Sequence, residues 1–420
     1  MKKSTAPWKD CPGGICAPLG FRASAQRAGL KKKGLDLVLI ASDQEASAAA
    51  CFTRNEFPAA PVLLSHEHLK QTRGRARAIL VNSGGANAAT GPDGLVRARQ
   101  TVHALARLMG LPRSTVLVCS TGVIGVPLDS GKIIAALPSC VAHLNRNYGE
   151  KAAEAICTTD TVAKIESIEF KAGGREVRIG GIAKGAGMIH PDMATMLAFI
   201  TTDAHITSSR LQRNLNWCVE RSFNCITVDG DTSTNDTVLV LANGASGVDV
   251  SRLAVAGRAP AARRPASDPG GIFVDALLEV CRRLARKIAW DGEGATHHLE
   301  IAVGGGRTFE QARNVGRSIG RSNLVKTAIY GHDANWGRVL SAAGAAGERI
   351  DASRVLLRVD GKIVASGGIV RNAPDSVYAD VWNKKRIRID MDLGLGSASA
   401  VCWSCDLSHK YIDINGSYRT

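Results

Sequence analysis

Apolar residues recur along this chain in two periods. Leu35–Ile40, Ala78–Asn82, Val116–Cys119 and Val238–Leu241 are short apolar runs bounded by turn residues. Runs of that length read as strands buried in a core. Val96–Met109 instead has helical spacing and stops at Gly110, a C-cap signal. Phe273, Leu277, Val280, Leu284 and Ile288 recur at i+3 or i+4, with Arg282, Arg283 and Arg286 interspersed. That pattern predicts an amphipathic helix. Met188–Ile200 predicts a further strand with Thr195 at its start, and Tyr411–Ile414 reads as a final strand. Alternating strands and helices place the chain in the α/β class.

The intervals are informative too. Residues 1–16 carry Pro, Gly, Cys and Trp without a period and read as a loose N-terminal extension. Asn82–Gly91 is a loop of small residues suited to close backbone approach. Residues 243–271 form a Pro/Gly/Ala/Arg-rich stretch, a surface insertion of the kind loops absorb at low entropic cost. A length of 420 residues allows two or three domains, or one large layered α/β unit. No internal repeat is evident.

Composition narrows the class. The chain is 45% hydrophobic and 22% charged, ordinary for a globular protein. No apolar run reaches the ~18 residues of a membrane span. The basic N-terminus is not followed by the apolar region of a secretory signal. Eleven scattered cysteines, an odd number, suit reduced thiols in the cytoplasm. Cys402-Trp-Ser-Cys405 lacks the second ligand pair of a zinc site, so no metal is expected. The net charge of +15 raises nucleic-acid binding as a rival function. The basic residues are dispersed, however, and Lys31–Lys33, the densest run, has no aromatic interleaving. A basic surface that draws in anionic substrates is the simpler account.

Three motif-like strings fail on spacing. Gly304–Gly306 does not continue as a dinucleotide fingerprint. Gly125–Ile133 has five residues between its glycines and lacks the Ser or Thr of a phosphate loop. His66-Glu-His68 lacks the i, i+4 histidines of a metalloprotease helix. Asp229-Gly-Asp231 with Asn235-Asp236 lacks the terminal Glu of an EF-hand and reads as a turn and structural network.

Lys184-Gly-Ala-Gly-Met-Ile-His-Pro-Asp-Met-Ala-Thr195-Met carries the most chemistry. A threonine within a chain has no base beside its hydroxyl. Cutting before Thr195 would create an α-amine, with a pKa of about 7.7–8.0, next to that hydroxyl. The same hydroxyl can make the cut by attacking the Ala194 carbonyl. Taken alone, Met-Ala-Thr-Met also fits the opening of a buried strand.

Other blocks decide between these readings. Ser120–Gly125, Thr158-Thr-Asp-Thr161, Lys184–Asp203, Ile226–Val238, Asp291–Thr296, Val325–Gly331, Asn335-Trp-Gly-Arg338 and Asn415–Thr420 resemble one family in order and spacing. That family is the ornithine acetyltransferases, bifunctional glutamate N-acetyltransferases of arginine biosynthesis. The resemblance runs from about Ala17 to Thr420.

It implies a layered α/β sandwich, self-processed into Met1–Ala194 (the 1–16 extension and the 17–194 segment) and Thr195–Thr420, which stay associated because their strands share one core. It also implies a pairing of two such units. Thr195 is implied as nucleophile, Ala194–Thr195 as the cleavage site, and Thr121 with Gly122 as the oxyanion hole. Thr158, Lys184, Thr195, Glu293, Asn415 and Thr420 are implied to bind substrate. The expected substrates are N-acetylornithine and glutamate, with acetyl-CoA as a co-substrate of the bifunctional members. No bound cofactor, nucleic acid or membrane is expected.

The chain also departs from the family. His297 and His298 stand where lysine is usual after Ala-Thr296. Asn82-Ser-Gly-Gly-Ala-Asn87 has Gly85 for an asparagine and Ala89 for the following cysteine. The 243–271 stretch is longer than usual. The rival within the same chemistry is an N-terminal-nucleophile aminopeptidase or amidase, in which water takes the acyl group.

Overall fold

The computed structural model describes residues 6–190, 196–250, 269–371 and 373–417. The chain divides into two compact units. The first comprises Met1–Gly185, Asp192–Glu220 and Thr232–Leu284, and the second Ala186–Pro191, Arg221–Asp231 and Ala285–Thr420.

In the first unit the chain runs through β1 (Trp8–Asp10), β2 (Phe21–Gln26), β3 (Leu37–Phe52), α1 (Ala60–Gln71), β4 (Arg75–Gly85), α2 (Gly91–Met109) and β5 (Val116–Val123). It continues through α3 (Ser130–Ala142), α4 (Gly149–Ile156), β6 (Lys164–Ala172), β7 (Arg175–Lys184), β8 (Leu197–Thr202), α5 (Ser208–Glu220) and β9 (Thr237–Ala242). The strands form one nine-stranded sheet, ordered β1-β6-β7-β8-β9-β3-β4-β5, with β2 also on β3.

The apolar runs are continuous because both faces of this sheet are covered. Val38 and Ile40 of β3 join Val81 of β4 and Leu117 of β5 in one core cluster. Their alternating neighbours Leu37, Leu39, Leu80 and Val118 join a second cluster with Val102 and Leu105 of α2. A period of two along each strand sends successive side chains to opposite faces, so no position on such a strand is left for a polar residue. Helix α2 ends where the spacing predicts, with Gly110 in the left-handed conformation at φ 63°.

Strand β8 begins just after residue 195 and lies inside this sheet, antiparallel to β7 and parallel to β9, while β9 pairs with β3. Strands from both sides of the 194/195 junction therefore share one hydrogen-bonded sheet.

The N-terminal extension is not loose over its described residues. Strand β1 pairs antiparallel with β6, matching Trp8 to Phe170. Gly14–Cys16 forms a short 3-10 turn with Ile15 wholly buried. The Ser167 hydroxyl donates to the Cys11 carbonyl at 2.6 Å and accepts from Gly14 N–H at 3.2 Å. The segment lacks a period because it is a single strand and a turn, too short to repeat.

Helix α6 (Pro269–Trp290) matches the amphipathic prediction, and Phe273, Leu277, Val280, Leu284 and Ile288 are all fully buried. Of the 243–271 stretch, residues 251–268 lie outside the described residues.

The second unit holds β10 (His298–Gly306), α7 (Phe309–Arg321), α8 (Asn323–Tyr330), α9 (Gly337–Gly344), β11 (Leu356–Val359), β12 (Lys362–Ser366) and β13 (Ile369–Val370). After these come α10 (Ala379–Trp382), β14 (Arg386–Asp392), β15 (Ala398–Cys405) and α11 (His409–Gly416). Its six-stranded sheet is ordered β13-β12-β11-β14-β10-β15. Here one face is polar. Ile387, Ile389 and Met391 of β14 are buried, while Arg386 and Arg388 point the other way and both pair with Glu300 of β10. Ala312, Val315 and Ile319 of α7 supply the helical stripe of the buried side.

Tyr411–Ile414, expected as a strand, lies within helix α11. The Ile-Asp-Ile alternation that suggests a strand buries no face here: Ile412 is 68% exposed, and no residue of α11 is buried. The i, i+4 bond from Asn415 Nδ2 to the Tyr411 carbonyl, at 3.0 Å, belongs to the helix instead.

Among the described residues no helix is long and apolar enough to cross a membrane. All eleven cysteines are free thiols, including Cys402 and Cys405 on β15.

Candidate active site

In the first unit, β5 runs in parallel beside β4 and ends on Ser120-Thr121-Gly122. Gly122 has φ 133°, and a Cβ there would sit 2.5 Å from the backbone carbon of Gly84. Only glycine lets the two strand ends approach this closely. The turn is braced from behind. Asn235 Nδ2 donates to the carbonyls of Ala86 and Ser120, at 2.6 and 2.9 Å, and the Ser120 hydroxyl donates to Asn82.

Lys184 closes β7 and is paired with Leu197 of β8. It is 4% exposed, not a surface lysine. Its Nζ donates to the Thr121 Oγ1 at 3.1 Å, a buried contact. A hydroxyl has one proton to donate and two lone pairs. With the ammonium holding a lone pair, the Thr121 proton is left to point at a ligand.

Asp160 organises the neighbourhood. Its Oδ1 accepts from Gly185 N–H and from Lys164 Nζ, each at 2.6 Å, and its Oδ2 accepts from Thr158 N–H at 3.0 Å. Burial works against its charge, but the ammoniums of Lys184 and Lys164 outweigh burial and hold the carboxyl at about 2. Lys31 Nζ caps the Cys157 carbonyl at 3.1 Å. Burial lowers its pKa, and the nearby Lys184 charge pushes the same way.

Asp236 anchors the strand that follows residue 195. Its Oδ1 accepts the Met196 N–H at 2.8 Å, and its Oδ2 is buried without a hydrogen-bond partner among the described residues. Burial drives this carboxyl well above the usual range, against the Met196 N–H and the Lys184 charge.

The second unit gathers two other expected residues. Glu293 is buried, and its Oε2 accepts from Asn415 Nδ2 at 2.7 Å. Gly187 lies against this carboxylate: a Cβ there would come within 2.3 Å of Glu293 Oε2. The Asp229 turn supports the pair, since Asp229 Oδ2 accepts from the Tyr411 hydroxyl at 3.1 Å, one helical turn before Asn415. Asp229 also takes the N–H groups of Met188 and Ile189, at 2.6 and 2.8 Å, in agreement with its reading as a structural turn. Pro191–Thr195 and Tyr418–Thr420 lie outside the described residues, so Ala194, Thr195 and Thr420 have no described geometry.

The family's usual lysine after Ala-Thr296 is replaced by a different polar unit. His297 Nδ1 lies 3.2 Å from Asp406 Oδ2, and its Nε2 lies 3.3 Å from the Trp382 carbonyl. The Asp406 hydrogen bond raises the imidazole's pKa against the effect of burial.

Sequence reasoning missed Asp160, Lys164 and Lys31 as members of these networks. Asp160 had a signal, because it sits within Thr158-Thr-Asp-Thr161 with Lys164 four residues on. Asn235 and Asp236 were read as part of a structural network, and their hydrogen bonds agree with that reading.

A buried lysine–threonine pair at a glycine turn, beside the strand that continues from a threonine, marks an α/β enzyme of the acyl-transferring kind. The chain matches the ArgJ family model over residues 22–420 and belongs to that family. It is 43% identical to the arginine biosynthesis bifunctional protein ArgJ of Parasynechococcus marenigrum, over 99% of this chain and 97% of that one. The protein of the same name from Thermosynechococcus vestitus is 44% identical, over 98% and 99%. The crystal structure of the Mycobacterium tuberculosis ornithine acetyltransferase complexed with ornithine is 37% identical, covering 45% of this chain and 99% of that chain, with a TM-score of 0.40. Neither the peptidase nor the nucleic-acid reading is favoured by these relatives.

Proposed function

We propose that this enzyme moves an acetyl group from N-acetylornithine to glutamate through an acetyl ester on Thr195, and that acetyl-CoA is a second acetyl donor. The Lys184–Thr121 hydrogen bond carries this reading, because it places a polarised hydroxyl and a buried cation where β8 emerges from residue 195.

In the first step Thr195 Oγ attacks the Ala194 carbonyl and the acyl group passes from nitrogen to oxygen. Water then hydrolyses the ester, leaving a carboxylate on Ala194 and a free α-amine on Thr195. In the catalytic cycle that amine takes the hydroxyl proton as Oγ attacks the acetyl carbonyl carbon. Thr121 and the Gly122 N–H receive the oxyanion. The C–N bond breaks, ornithine leaves with the proton on its nitrogen, and the acetyl group remains on Thr195. The glutamate amine attacks that ester, C–O breaks, and Thr195 recovers its proton. Glu293 suits the ammonium of an amino acid, and Thr158, Lys184, Asn415 and Thr420 suit its carboxylate. The two products of the cut remain paired through the β7–β8–β9 ladder.

The test is purified protein with acetylornithine and glutamate, then acetyl-CoA and glutamate, with products identified. Intact mass should give two fragments, the second beginning Thr-Met-Leu-Ala, and an acetyl group on it when acetylornithine alone is supplied. Thr195→Ala should stay as one inactive chain. Full activity in an uncut protein would sink the reading.

A further inference from the structure

Of the basic run Lys31–Lys33, Lys32 and Lys33 are exposed, while Lys31 is half-buried in the first unit. Its main chain is fixed from behind. The N–H groups of Ala28, Gly29, Leu30 and Lys31 all donate to the carboxylate of the wholly buried Asp36, at 2.5–3.0 Å. From that anchored point the Lys31 side chain touches two parts of the site described above.

The first is the peptide that precedes Thr158. Lys31 Nζ donates to the Cys157 carbonyl at 3.1 Å, and Asp160 Oδ2 accepts the Thr158 N–H at 3.0 Å. That C=O and that N–H belong to one planar peptide unit. A cation on the oxygen and a carboxylate on the N–H clamp the plane from both ends. Both bonds have a charged partner, the stronger kind of hydrogen bond. The orientation of this plane sets where the Thr158 side chain points. Asp160 alone would hold one end of it.

The second part is the glycine turn. Gly84 stands at φ 103°, and a Cβ there would come within 3.0 Å of both Lys31 Cγ and the Leu30 carbonyl oxygen. Gly84 is also the ladder partner of Gly122. The methylene stem of Lys31 therefore packs on the residue against which Gly122 is held. Lysine is suited to such a double task, because its stem is apolar and its head is charged.

We propose that Lys31 is a positioning residue for acyl transfer: its ammonium orients Thr158, and its stem backs the Gly84–Gly122 contact. The proposal rests on the reading that Thr158 binds substrate and that the Gly122 N–H receives the oxyanion. Lys31 takes no part in the bond changes themselves.

The test uses the full self-processed protein in acetylornithine–glutamate exchange, with rates taken per mole of cut chain. Lys31→Met keeps an apolar stem over Gly84 and removes the ammonium. KM for acetylornithine should rise about tenfold or more, the size of a lost charged hydrogen bond. Its kcat should stay near the wild-type value, because binding alone is weakened. Lys31→Ala removes the stem as well. There kcat should also fall, since a displaced oxyanion donor is felt in the transition state. Lys31→Arg keeps a cation and should recover most of the KM. Thermal unfolding is followed for all three.

Lower melting temperatures with unchanged KM and kcat would make Lys31 a structural residue and overturn the proposal. So would a loss of kcat at unchanged KM in Lys31→Met, or identical kinetics in Lys31→Met and Lys31→Ala. A KM in Lys31→Arg no better than in Lys31→Met overturns the role of the ammonium. If wild type transfers no acetyl group, the acyl-transfer reading fails and takes the proposal with it. If wild type transfers acetyl and Lys31→Met matches it, the reading stands and the proposal alone falls.

Discussion

The Lys184 ammonium donates to the Thr121 hydroxyl at 3.1 Å, in a contact shut off from water. The two residues are 63 positions apart in sequence, and β5, through Leu117 and Cys119, and β7, through Ile182, pack into one core. The pair ties the charge of a lysine to the one hydroxyl proton available for an oxyanion. Removing the hydroxyl should slow acetyl transfer by about 10²–10³, or roughly 2.7–4 kcal/mol. Thr121→Ser, which keeps the oxygen, should recover most of that rate. Steady-state kinetics separates the roles: a raised KM with unchanged kcat in Thr121→Ala would make Thr121 a binding residue instead.

Asp160 is buried between Lys164 and the Gly185 amide. Asp160→Asn removes the carboxylate that pairs with the buried Lys164 ammonium, and breaking such a pair costs about 3–5 kcal/mol. Adding Lys164→Met should return part of that stability by removing the other half of the broken pair. The folded pKa of Asp160 is depressed to about 2. Its contribution is therefore fully present above the unfolded value of about 3.9 and is lost as pH falls through about 2. Thermal unfolding from pH 6 to pH 2 should show the wild type losing the advantage over Asp160→Asn across that acid window.

Asp236 meets the opposite fate. Burial raises its pKa, and one oxygen alone is engaged, by Met196 N–H. Asparagine keeps the oxygen that accepts the Met196 N–H and carries no charge into the buried site. Asp236→Asn should unfold at nearly the wild-type temperature. Asp236→Leu strands the Met196 amide and should lose about 1–3 kcal/mol. Both variants should be scored by mass for the fraction cut before residue 195. Equal destabilisation by Asn and Leu would show that the acid is ionised after all.

Asn415 holds Glu293 from helix α11. Asn415→Ala should leave folding and cutting intact, since α11 is exposed and contributes no buried residue. Acetylornithine turnover should fall by about tenfold or more, because a hydrogen bond to a charged group is worth roughly 1.5–3 kcal/mol. Deleting residues 415–420 should do the same more severely. Wild-type kinetics in the deletion would show that the tail is peripheral.

The sequence determined the elements whose cause is local. Leu37–Ile40, Ala78–Val81 and Val116–Cys119 are continuously apolar, and a strand with no polar face belongs inside a layered core. Gly110 ends a helix because it alone adopts the left-handed cap cheaply. The order of the blocks from Ser120 to Asn415 also named the family, because spacing over that length is a property of sequence. What the sequence could not decide depends on partners far along the chain. Residues 6–16 have no period, yet β6 gives them an edge to pair with. Tyr411–Ile414 alternates like a strand, yet it lies in α11, which buries none of its residues. Asp160 and Asp236 are both carboxyls in buried surroundings, yet the pKa of one is lowered and that of the other raised. The difference lies in two lysine ammoniums near the first and an unpartnered oxygen on the second, and only the folded chain sets those distances.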